Sequence, residues 1–352
     1  MKVLLSTYAC EPNKGSEPEV GWRWMIELSK ESERLTVLTR KNNKSSVEEG
    51  LKLLDSKNIS FEYFDLPSLF LWLKRGGKGA FLYAYLWELF SFFYLLRRFK
   101  RNEFDVVQRA TFVTYKLPSL IWYFGKEFVL GPVAGGERYP LRFLGLFSAG
   151  GVFKEVLRMI MQRISFLDPF VLLTLCKADK IIAVTDDTKN ILPSFIQSKA
   201  IIRPAISISM DDFNSNAEAY IRDNSKVIKL LYVGRLLEWK GLMLSLMALR
   251  GIGDQVDYEF NVVGEGPDRH LFERYVNKYG LNVNFVGVVP RENLAGYYGG
   301  HDLFLFPSLH DSGGMVVIEA VAHGLPVLVS DFGGPKMFVG QDDYVIKAEN
   351  IQ

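Results

Sequence analysis

Two carboxylates in the C-terminal half of the chain have a spacing suited to binding hydroxyl groups. Asp311 and Glu319 lie eight positions apart in a segment, 306–330, that reads strand, loop, helix, turn and strand. Gly313 and Gly314 stand where the helix begins, and the free first-turn amides and the helix dipole favour an anion there. Because carboxylates accept paired hydrogen bonds from vicinal hydroxyls, the segment predicts a ligand with phosphate and hydroxyl groups. The alternative is that Asp311 is a solvated helix cap and Glu319 a surface residue. Because Glu319 is the sole charge of an apolar helix, this alternative is less favoured.

Two cations follow another strand-like run in the same half. The segment Gly234-Arg235-Leu-Leu-Glu-Trp-Lys240-Gly241 comes directly after β-branched apolar residues and opens a predicted helix. Arg offers a planar fork of donors and Lys a point charge, a combination that stabilises a departing diphosphate as its negative charge develops. A lone basic residue after a strand is more often an exposed side chain without a ligand. The diphosphate interpretation therefore depends on the segment that contains Asp311 and Glu319.

Apolar runs rich in β-branched residues alternate with helical stretches along the chain, which is typical of parallel sheets. We predict strands at Lys2–Ala9, Leu35–Thr39, Ile59–Leu66, Asp105–Arg109, Phe128–Val133, Lys180–Thr185, Ile228–Val233, Glu259–Val263, Val283–Val289, Leu303–Pro307 and Pro326–Ser330. That count fits two Rossmann-like doubly wound α/β domains facing a cleft. Ligands bind outside the carboxyl ends of such strands, so Gly15, Gly234 and Gly264, which each follow a strand, are expected on one face.

Length and composition restrict the class of protein. A chain of 352 residues is longer than a single hydrophobic core usually accommodates. A polar segment from Arg203 to Ser225 separates two series of predicted strands. We therefore predict domains 1–205 and 206–352. A hydrophobic content of 48% excludes disorder, and a net charge of +2 argues against a nucleic-acid partner. Two cysteines, Cys10 and Cys176, exclude a disulfide scaffold and indicate a reducing cytoplasm.

The motifs together resemble a known family. The ordered set Gly-Arg…Lys-Gly, Gly-Glu-Gly-Pro, Phe285-Val-Gly287 and Asp311…Glu319 resembles retaining family 4 glycosyltransferases of the GT-B fold. The run from Ala9 through Gly15 to Trp24 and the later Gly131-Pro-Val-Ala-Gly-Gly-Glu137 look like a bacterial branch that makes exopolysaccharide or lipid-linked glycans.

The resemblance implies a nucleotide diphosphate sugar as donor, bound by domain 206–352, and an acceptor bound by domain 1–205. Arg235 and Lys240 would bind the diphosphate, Glu319 the ribose, and Asp311, which stands where the family usually has Glu, the sugar hydroxyls. The remaining donor contacts would come from Gly15, Gly234, Gly264, Val288, Gly314, Met315 and Val316. Transfer in this family is described as front-side attack with the departing phosphate accepting the proton, so we expect neither a metal nor a cofactor.

Two departures from the family pattern bear on activity. Many relatives carry a His after the fourth strand, but all four histidines here lie in the C-terminal half, so Gln108 or Arg109 occupies that position. Gln108 is expected to bond a donor hydroxyl; an ordinary strand-end side chain is the open alternative. The chain also ends at Gln352, before the C-terminal helices that the family usually has, which suggests truncation or unusual domain closure.

A basic aromatic stretch, 66–101, approaches the length of a membrane span, but Glu88 sits near its centre. A charge there costs roughly 2.5–3.5 kcal/mol on insertion scales, so we predict shallow docking on an anionic bilayer instead. A helix packed on its own domain is the open alternative. Segment 139–170 also has basic residues among apolar ones and is expected to enlarge the same docking surface.

The sequence therefore predicts a retaining hexosyltransferase, cytoplasmic or at the inner face of the membrane, acting on a glycan or lipid-linked acceptor. Two alternatives stay open: a catalytically silent nucleotide-sugar-binding subunit, and a nucleotide-sugar epimerase or hydrolase on the same scaffold.

Overall fold

The computed structural model describes residues 1–54, 57–77, 79–205, 227–340 and 345–347. The chain divides into two compact units. Unit 1 comprises Met1–Gly136 and Arg158–Ser207, and unit 2 comprises Glu137–Leu157 and Ile208–Gln352. Segment 137–157 thus groups with unit 2 although it precedes residue 205. Most of the polar segment predicted to join the domains, 206–226, lies outside the described residues.

Unit 1 contains a seven-stranded sheet in which every paired strand is parallel. Its strands are β1 Lys2–Thr7, β2 Arg34–Thr39, β3 Ile59–Tyr63, β4 Phe104–Thr111, β5 Gly125–Val133, β6 Lys180–Ala183 and β7 Ala200–Ile202, in the order β3-β2-β1-β4-β5-β6-β7. The first six were predicted from sequence. The edge strand β7 was not, because three residues carry too little pattern.

Helices cover both faces of this sheet. They are α1 Ser16–Glu31, α2 Lys44–Leu51, α3 Ala80–Leu96, α4 Ala149–Ile164, α5 Pro169–Lys177, α6 Asp186–Ile191 and α7 Ser194–Gln197, and the division between the units falls within α4. Local chemistry sets some of the starts: the Asp168 carboxylate accepts hydrogen bonds from the amides of Phe170 and Val171, with Pro169 at the first helical position. Helix α3 buries Tyr83, Trp87 and Leu95 in the core shared with β4 and β5.

Unit 2 repeats the design with six strands. They are β8 Ile228–Val233, β9 Tyr258–Val263, β10 Val283–Gly287, β11 Leu303–Phe306, β12 Val327–Ser330 and β13 Val345–Ile346, in the order β10-β9-β8-β11-β12-β13. The helices are α8 Leu242–Ile252, α9 Arg269–Tyr279, α10 Leu294–Gly299 and α11 Met315–Ala322. A core of buried aliphatic and aromatic residues, including Phe260, Phe272 and Phe304, joins the helices to the sheet.

Both sheets have the strand order of the Rossmann fold, in which the order reverses between the first and fourth strands of each unit. The prediction of two parallel Rossmann-like α/β units is confirmed. The reversal points, between β1 and β4 and between β8 and β11, are where such sheets bind ligands.

Over the described parts of the chain, no single helix has the length and apolarity needed to span a bilayer. Two helical segments, Ala149–Leu167 and Pro169–Lys177, are bent by 71° relative to each other. Taken together they are long and apolar enough to span a bilayer, by length and composition only.

Candidate functional site

The reversal point of unit 2 brings two predicted site residues together. Strands β8 and β11 are neighbours, with Leu303 opposite Leu230 and Phe304 opposite Leu231. The loops that leave their carboxyl ends therefore run side by side. Lys240, from the loop after β8, forms an ion pair with Asp311, from the loop after β11, and the two side chains are 18% and 12% exposed.

Asp311 is held in its charged form. Burial raises the pKa of Asp311, but the Lys240 ammonium and the backbone amides of Gly313 and Gly314 outweigh burial and hold that pKa below its usual value. The Gly313 amide donates to Oδ1 at 3.2 Å. A carboxylate with a lowered pKa accepts hydrogen bonds well and takes up a proton poorly.

Lys240 is also fixed by aromatic rings. Its Nζ lies 4.6 Å from the centroid of Trp239 and 5.3 Å from that of Phe306. Ring faces attract ammonium groups through their negative quadrupole. The cation is therefore oriented at the strand ends rather than free in solvent, and its remaining N–H groups are suited to an anionic ligand.

Two glycines allow the strand-end loops to touch. A Cβ at Gly241 would lie 1.9 Å from the carbonyl oxygen of Pro307, and a Cβ at Gly264 would lie 2.0 Å from that of Gly234. Both glycines have positive φ, 79° and 132°. The loops after β8, β9 and β11 are thereby in direct backbone contact, which no larger residue permits at these positions.

Glu319 lies within α11, where two other side chains hold its carboxylate. Tyr298 Oη donates to Oε2 at 3.0 Å, and Arg291 Nη2 donates to Oε1 at 3.3 Å. Burial and the Glu319 charge raise the pKa of Tyr298, so the phenol stays a donor. Arg291 and Tyr298 were missed from the sequence, because neither stands in a recognisable motif.

The predicted anion site at the start of α11 is smaller than expected. Gly314 precedes the helix as its N-cap, and the amides of Gly313 and Gly314 act on Asp311. The amides of Met315 and Val316 occupy the first turn, where a helix offers no acceptor. These two amides are the ones suited to a phosphate.

The other predicted residues of unit 2 are more open. The Arg235 side chain is exposed and forms no ion pair with another described residue. Val288, just beyond β10, is 75% exposed.

A layer of side chains supports the Lys240 loop through contacts that were not predicted. Glu238 accepts hydrogen bonds at 2.6 Å from both the amide and the hydroxyl of Ser148. His310, which precedes Asp311, stacks on Trp239 with ring centroids 4.4 Å apart, and its Nε2 lies 3.0 Å from Glu155 Oε1. Ser148 and Glu155 belong to segment 137–157, so these bonds tie that segment to unit 2. Long-range pairs of this kind leave no local signal in sequence.

In unit 1, the two candidates for the missing His are buried. Gln108 is 3% exposed and donates from Nε2 to the Gly131 carbonyl at 2.8 Å. Arg109 is fully buried and donates to the carbonyls of Leu117, at 2.9 Å, and Thr114. Both side chains are thus engaged with backbone of their own unit, and a role for Gln108 in the reaction stays a prediction.

Arg109 also lies in the field of two carboxyl groups, those of the buried Glu88 and the partly buried Glu17. Burial raises the pKa of Glu88 to about 7 and that of Glu17 to about 7, and the Arg109 charge opposes both shifts. Glu17 accepts from the Val113 amide at 2.9 Å and 3.1 Å. Gly15, predicted to contact the donor, is the N-cap of α1 two residues before Glu17.

Comparison with known proteins points to one group. Residues 216–352 match the family model Glycosyl transferases group 1. The 2-deoxystreptamine glucosyltransferase of Streptomyces kanamyceticus is 34% identical over 106 residues, which are 29% of this chain and 27% of that protein. An uncharacterized glycosyltransferase of Methanocaldococcus jannaschii is 31% identical over 132 residues, 37% and 33% of the two chains. The match thus spans a third or less of each relative's length.

Solved structures resemble the chain over nearly its whole length. A glycosyltransferase of lipopolysaccharide biosynthesis, WaaG, has a TM-score of 0.59 at 19% identity, covering 98% of this chain and 86% of that one. HepE of Anabaena, solved with UDP, has a TM-score of 0.57 at 18% identity, covering 99% and 85%. At these identities the likeness establishes the fold.

Proposed function

We propose that the chain, whose residues 216–352 match the group 1 glycosyl transferases, moves a hexosyl group from a nucleotide diphosphate sugar to a glycan or lipid-linked acceptor with retention of configuration. The observation that carries the proposal is the Lys240–Asp311 pair at the reversal point of unit 2, with Glu319 anchored on the helix that follows Asp311.

Each residue of the site has a distinct role in the proposal. Lys240 and the exposed Arg235 neutralise the diphosphate, and the amides of Met315 and Val316 donate to its oxygens. The fixed carboxylate of Glu319 accepts from the ribose hydroxyls. As the bond to the sugar breaks, negative charge grows on the departing diphosphate, and preorganised cations stabilise that charge most in the transition state.

Asp311 acts as a hydrogen-bond acceptor for the sugar rather than as a base. A general base works best when its pKa lies near the working pH, and the pKa of Asp311 is lowered. Removal of the acceptor's proton by the departing phosphate, as in front-side attack with retention, is consistent with this carboxylate. We propose no metal or cofactor in the reaction.

The silent-subunit alternative has one observation in its favour. Gln108, in the position where many relatives carry a His, is buried and bonded to Gly131. Donor binding without turnover across an acceptor panel would support this alternative.

The test of the proposed reaction replaces Lys240 with Ala and assays transfer from a panel of labelled nucleotide sugars, with the anomeric configuration of the product determined by NMR. We expect transfer to fall at least about 100-fold, the loss typical of one removed charge-stabilising group. Lys278→Ala, an exposed lysine of the same unit, is the matched control. Unchanged turnover in the Lys240 variant would contradict the phosphate role, and an inverted product would contradict retention.

We further propose that unit 1 docks on an anionic membrane surface. Helix α3 is apolar on two faces: it buries Tyr83, Trp87 and Leu95 together with Glu88 and Ser91, and it exposes Leu82, Phe90 and Phe93. Such an exposed apolar face is typical of interfacial helices. The basic residues of stretch 66–101 flank this face: Arg97, Lys100 and Arg101 are exposed, and Arg98 is exposed but paired with Glu62 at 2.9 Å. Lys78 lies outside the described residues, and the side chains at 74 and 75 are not described.

Helix α4 has a comparable face. Apolar side chains at helical spacing are exposed along it: Phe153, Val156, Leu157, Ile160, Met161 and Ile164.

Vesicle co-sedimentation tests the docking. Phe93 is 55% exposed on α3, so docking can bury about half of its surface. Phe93→Ser is therefore expected to weaken binding to anionic vesicles roughly four- to sixteenfold, because burying a whole Phe contributes about 1.5–3 kcal/mol. Leu53→Ser is the control, because Leu53 is 86% exposed and follows α2. Helix α2 packs on a second core of unit 1, separate from the core that α3 covers. Equal binding of Phe93→Ser and Leu53→Ser would remove the membrane proposal.

A further inference from the structure

Unit 1 contains a polar pocket at the amino-end edge of its sheet. This edge is opposite to the one at which β1 and β4 end. The volume of the pocket is about 220 Å³. The lining residues either precede a strand or begin one: Arg101, Asn102, Trp122, Tyr123, Gly125, Lys126, Phe128, Lys177 and Asp179. The pocket therefore lies at the amino ends of β4, β5 and β6, and none of the predicted donor residues lines it.

The lining carries excess positive charge. Lys126 is paired with Asp105 at 2.7 Å, and the Asp179 carboxylate accepts from the Phe128 amide at 2.8 Å. Arg101 and Lys177 differ from Lys126, because within the described residues neither pairs with a carboxylate. Their charged groups lie 5.7 Å and 5.1 Å from the ring centroids of Tyr123 and Trp122. Two cations on aromatic walls, without an acidic partner, suit an anion.

Helix α5 ends at this pocket, and the negative end of its dipole would repel an anion. Lys199 offsets that repulsion, since its Nζ donates to the carbonyl oxygens of Cys176 at 2.9 Å and Ala178 at 2.8 Å. The last carbonyls of α5 are thereby capped by a further cation, which counters the negative end of the dipole.

The pocket adjoins the exposed apolar face of α3. Phe92 of α3 packs against Tyr123 of the pocket wall, with centroids 5.7 Å apart, and Phe93 next to it is exposed. On α5, which leads to Lys177, Phe170 and Leu173 are exposed. Apolar surface thus runs along two helices to a cationic pocket, which is the pattern an amphiphile with an anionic head would fit.

We propose that this pocket binds the phosphate of an anionic lipid headgroup, with Arg101 and Lys177 as its principal donors, while the acyl chains lie against α3 and α5. Its volume equals that of about seven water molecules at about 30 Å³ each, enough for a phosphate and a glycerol-sized group. Arg and Lys form charge-assisted hydrogen bonds with phosphate oxygens. This inference rests on the proposed membrane docking and adds a headgroup preference to it.

The test compares the full chain on neutral vesicles and on vesicles doped with phosphatidate or phosphatidylglycerol to equal zeta potential. The pocket variant is Arg101→Gln with Lys177→Gln. Its control is Arg34→Gln with Lys52→Gln, an exposed Arg and Lys elsewhere in unit 1. We expect wild type to prefer phosphatidate, whose phosphomonoester is less hindered.

The pocket variant should lose that preference and bind about 30-fold more weakly, from about fivefold for each cation near the surface, and the control should stay within about twofold. A pocket variant that behaves like its control, or a wild type without headgroup preference, would overturn the inference. Release of wild type from vesicles by an equal concentration of inorganic phosphate would overturn the lipid assignment. If Phe93→Ser still weakens binding in any of these cases, the docking proposal stands while the headgroup pocket falls.

Discussion

Replacing Lys240 with Met removes the ammonium group and keeps an apolar side chain against Trp239 and Phe306. Asp311, 12% exposed, is then a carboxylate without its cation. Removing one partner of a buried ion pair costs about 3–5 kcal/mol, and the partial exposure of this pair reduces the expected loss to about 2–3 kcal/mol at neutral pH. In a unit of 150–250 residues, that loss lowers the melting temperature by roughly 4–12 °C.

The pH dependence gives this prediction a sign. In wild type the folded pKa of Asp311 lies below its unfolded value, so the pair stabilises the fold above the unfolded pKa and the contribution is lost as pH falls through the folded pKa. In the variant only the Gly313 and Gly314 amides oppose burial, so the folded pKa of Asp311 is higher than in wild type. The variant therefore loses less stability than wild type as pH falls, and its deficit relative to wild type narrows in acid.

Urea unfolding followed by tryptophan fluorescence between about pH 4 and pH 8 measures both effects. Lys278→Met controls for the loss of a surface charge in unit 2. Wild-type and variant stability curves that run parallel across this range would refute the assignment of the pair, as would a stability loss no larger than that of the control.

Two further predictions concern the remaining carboxyl groups. Glu319→Gln should weaken binding of a nucleoside diphosphate about tenfold, and Arg291→Gln, which releases one oxygen of Glu319, should weaken it less; calorimetric titration measures both, and equal affinities in all three proteins would contradict the ribose role. In unit 1, burial raises the pKa of Glu88 and that of Glu17 from 4.5 to about 7, so folding stability should fall as pH rises across that interval, by up to about 3 kcal/mol for each group. Glu88→Gln should remove its share of this slope in urea unfolding, and an unchanged slope would assign the pH dependence to other groups.

The sequence was sufficient for features that depend on short-range pattern. Apolar runs predicted eleven of the thirteen strands that the described residues form, at close to their observed positions, because a buried parallel strand is apolar on both faces. The sequence also placed Lys240 and Asp311 on one face of the sheet, since residues after neighbouring parallel strands meet at one edge, but the ion pair between them was not predicted.

Features that depend on long-range packing were not predictable in the same way. Arg291 reaches Glu319 only because α10 packs beside α11, and Ser148 reaches Glu238 across 90 positions of sequence. The hydrogen bond from Gln108 to Gly131 requires the pairing of β4 with β5. None of these contacts has a periodicity or a motif, so only the folded chain reveals them.

A crystal structure of the chain with a nucleoside diphosphate tests whether the loops that carry Lys240 and Asp311 form the donor site. We predict diphosphate oxygens within hydrogen-bond distance of Lys240 Nζ and of the Met315 and Val316 amides, with the ribose hydroxyls on Glu319. A nucleotide bound away from these groups, with the Lys240–Asp311 pair unchanged, would contradict it.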